Sequence, residues 1–384
     1  MIYCMCAESQ AVSCGCLHLK ESSRTDHNGW SLDTNEDMVH SPFSVLLHSF
    51  NLYRKVNSYL AYLWWCQFTF LGQWWSGTEC VLYIEPSDLQ YIGKEHALVI
   101  MNHKYDIDWL MGWILTERFG MLGGSKIYGK KFLKYIPILG WIWYFTESIF
   151  LERNWDQDQK TLVRDIQEIA SFPQDVCITI LLFCEGTRFT EEKHRISMEV
   201  AEKKGFPYLK HHLLPRTKGF VLSLQAMKGK IPAIYDCTVA FRKDGAEPTL
   251  RNILHGRMCR AEMYVRRIPI DTVPYNDSKE CANWLHKLYQ EKDKLFDQFT
   301  MLGRFSGVQK RTIPRRYWDL IVWLCWASVL CLPLFVYIWN LIQNGITLYQ
   351  ALFVVTLTVV ARFFMKWSIG LSVIKKGSAY GKKN

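Results

Sequence analysis

The stretch NHKYDIDWL, residues 102–110, decides the fold, and it directly follows the apolar run ALVIM. His103 and Asp108 stand five positions apart within it. Five residues of an α-helix turn through about 500°, which would leave the two side chains on different faces. If they cooperate, His103 must lie in the turn that leaves a strand and Asp108 in the first turn of the next helix. This places an imidazole and a carboxylate at the carboxyl end of a strand, where open α/β sheets bind ligands.

The chain around this stretch alternates short apolar runs with longer amphipathic ones. The apolar runs predict strands in HALVIM, SIFLE, CITILLFCE, IPAIYDCTVAF and AEMYVRR. The amphipathic runs predict helices in DWLMGWILTERFG, DQKTLVRDIQEIASF and SKECANWLHKLYQEKDKLFDQF. Such alternation is typical of the α/β class, so we expect a mixed sheet covered by helices over residues 77–305.

Composition restricts the partners. The 384 residues carry a net charge of +10, which suits an anionic substrate, a membrane surface or nucleic acid. No RNP-like, zinc-finger or helix-turn-helix signature occurs, so we expect no nucleic acid. The 16 Trp and 19 Tyr favour the membrane interface, where amphipathic rings settle. The 13 cysteines are an odd number spread over a long chain, which indicates reduced thiols on the cytosolic side.

The amino-terminal part has two predicted segments. Residues 1–42 are polar and lack apolar periodicity, so we expect poor order there, and the pairs Cys4/Cys6 and Cys14/Cys16 lack the usual zinc-site spacing. The pieces FSVLLHSF and YLAYLWWCQFTFLGQWW follow on either side of the basic YRKVN, each shorter than the ~20 residues of a spanning helix. Over residues 43–76 they predict helices that lie in a membrane interface, with ordinary buried helices as the alternative.

The carboxyl-terminal part is strongly apolar. From Leu320 to Ala361 no residue is charged. The central NLIQNGITLYQ divides this run into two stretches of roughly bilayer length, about 318–339 and 347–365, so we expect a transmembrane hairpin within residues 306–370. Basic residues flank the hairpin on both sides and are missing from its short loop, which places both ends and the tail 371–384 in the cytosol. They are Lys310, Arg311, Arg315 and Arg316 before it, and Arg362, Lys366, Lys375 and Lys376 after it.

A second polar constellation, FCEGTRFT at residues 183–190, follows the strand-like CITILL. In it Gly186 allows a sharp turn, Thr187 offers a hydroxyl, and Arg188 presents a planar fork that suits phosphate. Two further pieces are SIFLERNW, which contains Arg153, and HLLPRTKGF, which contains Pro215, Arg216 and Lys218. Taken singly, each has a plain structural explanation, such as a helix cap or a solvated charge at a strand end.

Together these pieces resemble a known family. Asn-His-x4-Asp, an Arg-terminated strand, Glu-Gly-Thr-Arg and a Leu-Pro segment occur in the order of the four blocks of the glycerolipid (PlsC-type) acyltransferases. The residues within the four blocks resemble the gamma/delta type of 1-acylglycerol-3-phosphate acyltransferases. The blocks are NHKYDIDWL, GWIWYFTESIFLERNW, CEGTRFTEEKHRISMEVAEKKG and HLLPRTKGF. The resemblance extends from about Tyr53 to the end of the chain.

The resemblance implies transfer of a fatty acyl group from acyl-CoA to the sn-2 hydroxyl of lysophosphatidic acid, which gives phosphatidic acid. It implies His103 as the base and Asp108 as its partner, although Asp106 is a second candidate by position alone. The residues expected to bind substrate are Asn102, Arg153, Glu185, Gly186, Thr187, Arg188, Pro215 and Lys218. Lys126, Lys130 and Lys131 either add to the phosphate site or meet anionic lipid headgroups.

No second His stands at ligand spacing from His103, so we expect neither a metal nor a cofactor besides acyl-CoA as co-substrate. The resemblance also implies the endoplasmic reticulum membrane, with several spans and the catalytic domain facing the cytosol. Two alternatives stay open. In the first alternative, the enzyme acylates another lysophospholipid or glycerol 3-phosphate. In the second, the chain is a non-catalytic lipid-binding membrane protein that retains the fold, an alternative suggested by the polar stretch at its start.

Overall fold

The computed structural model describes residues 42–136, 139–152, 154–345 and 347–372. The predictions for residues 1–41, for Arg153 and for the end of the tail from 373 lie outside these residues. The chain divides into two compact units after Phe50, and every contact described below lies within the second unit, residues 51–384.

An eight-stranded mixed sheet forms the centre of the second unit, in the order β4-β3-β5-β2-β6-β7-β1-β8. The first five strands in this order are parallel to one another, β7 is antiparallel to β6, and β8 is antiparallel to β1. The strands are β1 Glu79–Tyr83, β2 Ala97–Met101, β3 Ser125–Lys130, β4 Ile149–Leu151, β5 Thr179–Leu182, β6 Ala233–Phe241, β7 Arg260–Pro269 and β8 Lys310–Arg311.

The α-helices alternate with the strands along the described chain. They are α1 Pro42–Phe70, α2 Pro86–Leu89, α3 Asp108–Arg118, α4 Leu139–Phe145, α5 Trp155–Ile169, α6 Glu191–Lys203, α7 Thr217–Ala226, α8 Leu250–Leu254, α9 Ser278–Leu302, α10 Trp318–Asn344 and α11 Leu348–Ser372. A π-helical turn, Leu71–Trp75, directly follows α1.

Two hydrophobic cores cover the two faces of the sheet, and the period of two along each strand assigns its side chains between them. In β2, Leu98 and Ile100 face the core built by α5, α6, α7 and α9. Ala97 and Met101 face the core built by α3. Because β6 is covered on both sides, all nine of its residues are buried. The predicted mixed α/β sheet covered by helices is therefore confirmed.

The register brings two loops together at one edge of the sheet. Ile100 in β2 pairs with Leu182 in β5, and Met101 pairs with Cys237 in β6. Because these three strands are parallel, their carboxyl ends meet at the same edge. The segments that begin with Asn102 and with Phe183 therefore leave the sheet side by side.

Three strands and five α-helices differ from the prediction, which did not include β1, β3, β8, α2, α4, α6, α7 and α8. The strand β3 has the sequence SKIYGK, whose lysines hide its strand character, and β8 has only two residues. The strand β1 lies inside the predicted domain but precedes its first predicted strand. The helices α6 and α7 follow the polar constellations, and α2, α4 and α8 have only four to seven residues, too few to show a helical period.

The amino-terminal prediction of separate apolar helices is wrong in one respect, because α1 runs unbroken through the basic YRKVN. Arginine is a good helix former, so Arg54 does not interrupt the helix. Its guanidinium turns inward and pairs with Glu147, with Nη2 2.8 Å from Oε2. It also donates to the backbone oxygens of Ser171 and Glu168. An exposed apolar stripe remains along α1, formed by Leu52, Val56, Tyr59, Leu60 and Trp64.

The carboxyl-terminal helix α10 is long and apolar enough to cross a membrane, and none of its apolar stretch is buried inside the protein. It is the one such helix among the described residues. The apolar part of α11 that follows, Leu348–Phe363, is shorter. The exposure and composition of α10 are those of a membrane-associated protein.

Candidate active site

His103 and Asp108 meet at the carboxyl edge of the sheet, as their spacing predicted. His103 lies in the turn after β2, Asp108 opens α3, and Nδ1 of the imidazole is 3.3 Å from Oδ2 of the carboxylate. The Asp108 side chain is fully buried, whereas 22% of the His103 side chain is exposed. The ring of His103 stacks on Phe183, with 4.2 Å between the centroids. One ring nitrogen is thus held inside, and the other side of the ring is open to a substrate.

The carboxylate of Asp108 is held by the loop that it closes. The backbone N–H of Tyr105 donates to Oδ2 at 2.7 Å. Burial raises the pKa of Asp108, and the hydrogen bond with His103 opposes this rise. The negative charge of Asp108 therefore depends on His103 as its partner, and a positive charge on the imidazole would be stabilised in return.

Asn102 connects β2 to the next strand. Its side chain donates to the backbone oxygen of Val239 at 2.9 Å and accepts from the Val239 N–H at 2.8 Å. Asn102 is 1% exposed, so this amide pair uses both polar groups of a side chain with little access to substrate. The contacts give Asn102 a part in fixing the start of the His103 turn.

Glu185 joins three of the four sequence blocks. Its carboxylate accepts from the backbone N–H of His103 at 3.0 Å through one oxygen and from that of Leu213 at 3.2 Å through the other. Backbone hydrogen bonds complete the connection, from Phe189 to His103 and from Arg216 to Cys184. Because Glu185 is buried and faces two N–H donors, its contacts hold the loops in register.

Gly186 makes the sharp turn that brings Arg188 to the dyad. Its φ is +70°, a left-handed conformation that glycine adopts without strain. A Cβ at this position would lie 2.8 Å from Cδ of Arg216, so the turn also needs a residue without a side chain.

Arg188 lies beside the dyad and forms an ion pair with Asp106. Both side chains are about one-third exposed, which leaves the guanidinium open to a further anion. Asp106, the second candidate partner of His103, is therefore engaged by Arg188, while Asp108 contacts the imidazole. The hydroxyl of Thr187 accepts from Nζ of Lys193 at 3.0 Å.

The remaining residues predicted to bind substrate differ in their position relative to the dyad. Pro215 is buried in the segment that Glu185 holds, and Lys218 is exposed in the first turn of α7, with Nζ 5.2 Å from the ring centre of Trp155. Lys131 pairs with Glu152 at the carboxyl ends of β3 and β4. Lys130, the last residue of β3, lies at the same edge.

The expectation that Lys126 serves phosphate or lipid headgroups is wrong. Lys126 is 1% exposed near the start of β3, donates to the carbonyl of Thr146, and lies 4.6 Å from the ring centre of Phe172. Burial lowers its pKa to about 8. Because β3 runs parallel to β2, its first residues lie at the edge of the sheet opposite to His103. Lys126 is therefore buried inside the protein, away from the dyad.

Sequence reasoning missed Lys104 and the pair His212–Asp293. Nζ of Lys104 lies between two rings, 4.6 Å from the centre of Phe296 and 5.3 Å from that of Phe189, and burial lowers its pKa. Nδ1 of His212 is 2.9 Å from Oδ1 of Asp293. The Asp293 carboxylate also accepts from the backbone N–H groups of Lys210 and His211. Lys104 stands inside the His-x4-Asp stretch, a signal that could have been used.

An apolar cavity runs between α3 and the sheet, starting beside the dyad at Trp109, the residue after Asp108. It follows β2 from Met101 to Ala97, a length of about 16 Å for five strand residues. Its lining there is Val99, Trp113, Leu181 and Met263, and polar residues such as Glu95 and Tyr235 line its far end.

An imidazole backed by a buried carboxylate, with an arginine beside it and an apolar cavity that starts at the next residue, is typical of an enzyme that transfers an acyl group. The sequence profile described as "Acyltransferase" matches residues 83–242, and the profile described as "Acyltransferase C-terminus" matches residues 252–326. The chain belongs to this acyltransferase family, as its four blocks predicted.

Named relatives narrow the comparison. The chain is 48% identical over 330 residues to the 1-acyl-sn-glycerol-3-phosphate acyltransferase delta of Bos taurus, covering 86% of each chain. It is 46% identical over 344 residues to the delta protein of Homo sapiens, covering 89% of each. It is 45% identical over 332 residues to the human gamma protein, covering 86% of this chain and 87% of the relative. The predicted resemblance to the gamma/delta type is confirmed.

Proposed function

We propose that the protein transfers a fatty acyl group from acyl-CoA to the sn-2 hydroxyl of lysophosphatidic acid and so makes phosphatidic acid. The His103–Asp108 dyad, with the apolar cavity that starts at the neighbouring Trp109, carries this proposal. The names of the delta and gamma relatives, which are 1-acyl-sn-glycerol-3-phosphate acyltransferases, support the choice of acceptor.

In the proposed reaction, His103 acts as a general base. Nδ1–H donates to Asp108, so Nε2 is free to take the proton of the acceptor hydroxyl. The hydroxyl oxygen attacks the thioester carbonyl as its proton moves to His103, and the resulting imidazolium is stabilised by Asp108. Collapse of the tetrahedral intermediate breaks the C–S bond, and His103 returns the proton to the CoA sulfur. No acyl-enzyme forms, because the acceptor supplies the nucleophile.

The substrates are placed by charge and by apolar surface. Arg188 is proposed to bind the acceptor phosphate, because its guanidinium is partly exposed beside the dyad and offers more donors than Asp106 uses. Arg153, Gly186, Thr187, Pro215 and Lys218 remain proposed contributors to substrate binding. The cavity under α3 is proposed to take the acyl chain, since its walls are apolar and it starts at Trp109, next to Asp108.

Removal of the base tests the proposal. Purified protein in detergent should release CoA when it receives acyl-CoA and lysophosphatidic acid, and His103→Ala should abolish that release. The exposed His255 gives a matched control, because it lies at the end of α8 away from the dyad, so His255→Ala should retain activity. Turnover by His103→Ala at the wild-type rate would remove the proposed base.

A panel of acceptors distinguishes the proposed substrate from its rivals. With one acyl donor, we expect lysophosphatidic acid to be preferred over lysophosphatidylcholine and glycerol 3-phosphate. The reverse order would assign the dyad to another acceptor.

We also propose that the reaction uses no metal. Activity that survives extensive chelation would support this, whereas a loss of activity that zinc reverses would contradict it.

We further propose that the protein resides in the endoplasmic reticulum membrane as a multi-pass protein. In this arrangement α10 and α11 form a spanning hairpin, the stripe on α1 lies in the interface, and the catalytic domain faces the cytosol. The apolar composition of α10 and the basic residues that precede it support this arrangement.

A further inference from the structure

A second cavity opens at the far side of the sheet, where β7, β1 and β8 lie next to one another. Its volume is about 450 Å³, and we call it the basic pocket. It is lined by Tyr83, Arg242, Glu262, Arg304, Phe305, Ser306, Gly307, Val308 and Lys310.

The basic pocket has an excess of positive charge. Three cations, Arg242, Arg304 and Lys310, line it together with one acid, Glu262. Arg242 is already paired, because it donates to both carboxylate oxygens of Asp244, at 3.0 and 2.8 Å, and its Nη1 lies 3.8 Å from Oε1 of the buried Glu262. Arg304 and Lys310 are exposed, and neither has an acid within ion-pair distance among the described residues. These two cations are therefore available to an anion from outside.

Lys310 of the basic pocket lies at about the level of the dyad. It pairs with Tyr83, which pairs with Tyr264, and Tyr264 pairs with Thr238, one residue beyond the partner of Met101. With about 4.8 Å between neighbouring strands, β1 and β8 lie roughly 14 and 19 Å from β2. A row of aromatic side chains connects the two places, because Lys104 contacts Phe296, Phe296 packs with Phe299, and Phe299 packs with Phe305.

We propose that the basic pocket binds the phosphates of the CoA nucleotide while the thioester lies at His103. This inference rests on the proposed function, since it names the place of the acyl donor. The pantetheine arm has the length of about four extended residues, on the order of 14 Å, which matches the distance to the pocket. A diphosphate and a 3′-phosphate need several cations, and arginine forks bind such oxygens in pairs.

The test combines a charge reversal with a shortened donor. In the full-length protein, Arg304→Glu with Lys310→Glu should raise the acyl-CoA KM about tenfold or more, since charge-assisted hydrogen bonds are lost. The kcat and the KM for lysophosphatidic acid should stay the same. With an acyl-N-acetylcysteamine donor, which lacks the nucleotide, the variant and the wild type should be equal. Lys230→Glu makes one such charge reversal at an exposed site before β6, at the opposite edge, and should leave every constant unchanged.

Three results would overturn the proposal. An equal loss with both donors would show that the two cations do not act through the nucleotide, and an unchanged acyl-CoA KM would remove the pocket from donor binding. Weaker binding to phosphatidylserine vesicles, with that KM unchanged, would assign the cations to lipid headgroups. Calorimetry with CoA alone keeps the pocket testable if lysophosphatidic acid is not the acceptor. Wild-type binding that the double variant loses would support the pocket even if the proposed acceptor failed.

Discussion

The two aspartates of the NHKYDIDWL loop, only two positions apart, have different partners. Asp108 is buried and lies 3.3 Å from the imidazole of His103, whereas Asp106 is partly exposed and pairs with Arg188. The difference follows from the start of α3, which turns Asp108 toward the strand end and leaves Asp106 in the preceding turn. Their chemical roles should therefore separate in kinetics.

We predict that Asp108→Asn lowers kcat about 10³–10⁴-fold, as loss of the orienting carboxylate does in serine hydrolases. An amide cannot stabilise the imidazolium, and it favours the wrong tautomer of His103. Asp106→Asn should change kcat far less and act mainly on the KM for the acceptor, through Arg188. Steady-state kinetics of both variants, with each substrate varied in turn, check this. An equal loss of kcat in the two variants would contradict the separation.

At the residue scale, the sequence predicted which residues lie together at the site, and it predicted the contact between His103 and Asp108. It did not predict the partners of the other site residues. The strand-turn-helix geometry of His103 and Asp108 could be inferred because it needs only the helical period and a strand end. The contacts of Asn102 and Glu185 are with backbone groups of Val239, His103 and Leu213. Every residue except proline carries the same backbone donor. A sequence therefore does not show which backbone group a side chain will meet, because this depends on how the strands and loops are arranged.

At the scale of elements, the site depends on how three loops meet at one edge of the sheet. The turn after β5 must be sharp to place Glu185 under His103 and Arg188 beside it. Gly186 supplies this turn with a φ of +70° and lies close to Arg216 of the Leu-Pro segment. A side chain at position 186 would therefore strain the backbone and displace the end of the Arg216 side chain.

We predict that Gly186→Ala destabilises the protein by about 1–2 kcal/mol, from left-handed strain alone, with more from the contact with Arg216. The matched control is Gly219→Ala, because Gly219 lies in α7 and a Cβ there meets no atom within 4 Å. That substitution should be neutral or stabilising by up to about 1 kcal/mol. Thermal unfolding in detergent measures both. Equal melting temperatures for Gly186→Ala and the wild type would refute the need for glycine.

The elements themselves were predicted where the period of the pattern was clear. The buried β6 and the amphipathic α5 and α9 show their periods directly. The strand β3 could not be predicted in this way, because Lys126 is buried by tertiary contacts with Thr146 and Phe172. Likewise, the burial of Arg54 within α1 could not be predicted, because its partner Glu147 stands 93 positions away in the sequence.

At the scale of the whole molecule, the apolar helix α10 is attached to the catalytic domain by a buried acid. Asp319, in its first turn, accepts from the side chains of Gln73 and Trp74 at 2.9 Å each. Arg315 and Arg316, just before the helix, donate to backbone oxygens of Gln73 and Glu117. Because these two cations are bound to the catalytic domain, the proposed topology places that domain on the same side of the membrane as the cations.

We predict that the short connection after α10 faces the lumen while the catalytic domain faces the cytosol. A glycosylation acceptor segment inserted after Gly345 should be modified in microsomes, because both α10 and α11 would then cross the membrane. The same segment inserted after Gly229, an exposed turn before β6, should stay unmodified. Gel mobility with and without glycosidase treatment reads both insertions. Each carries an Asn→Gln acceptor control, which should abolish any shift. Modification only after Gly229 would invert the topology, and modification at neither position would contradict the spanning hairpin.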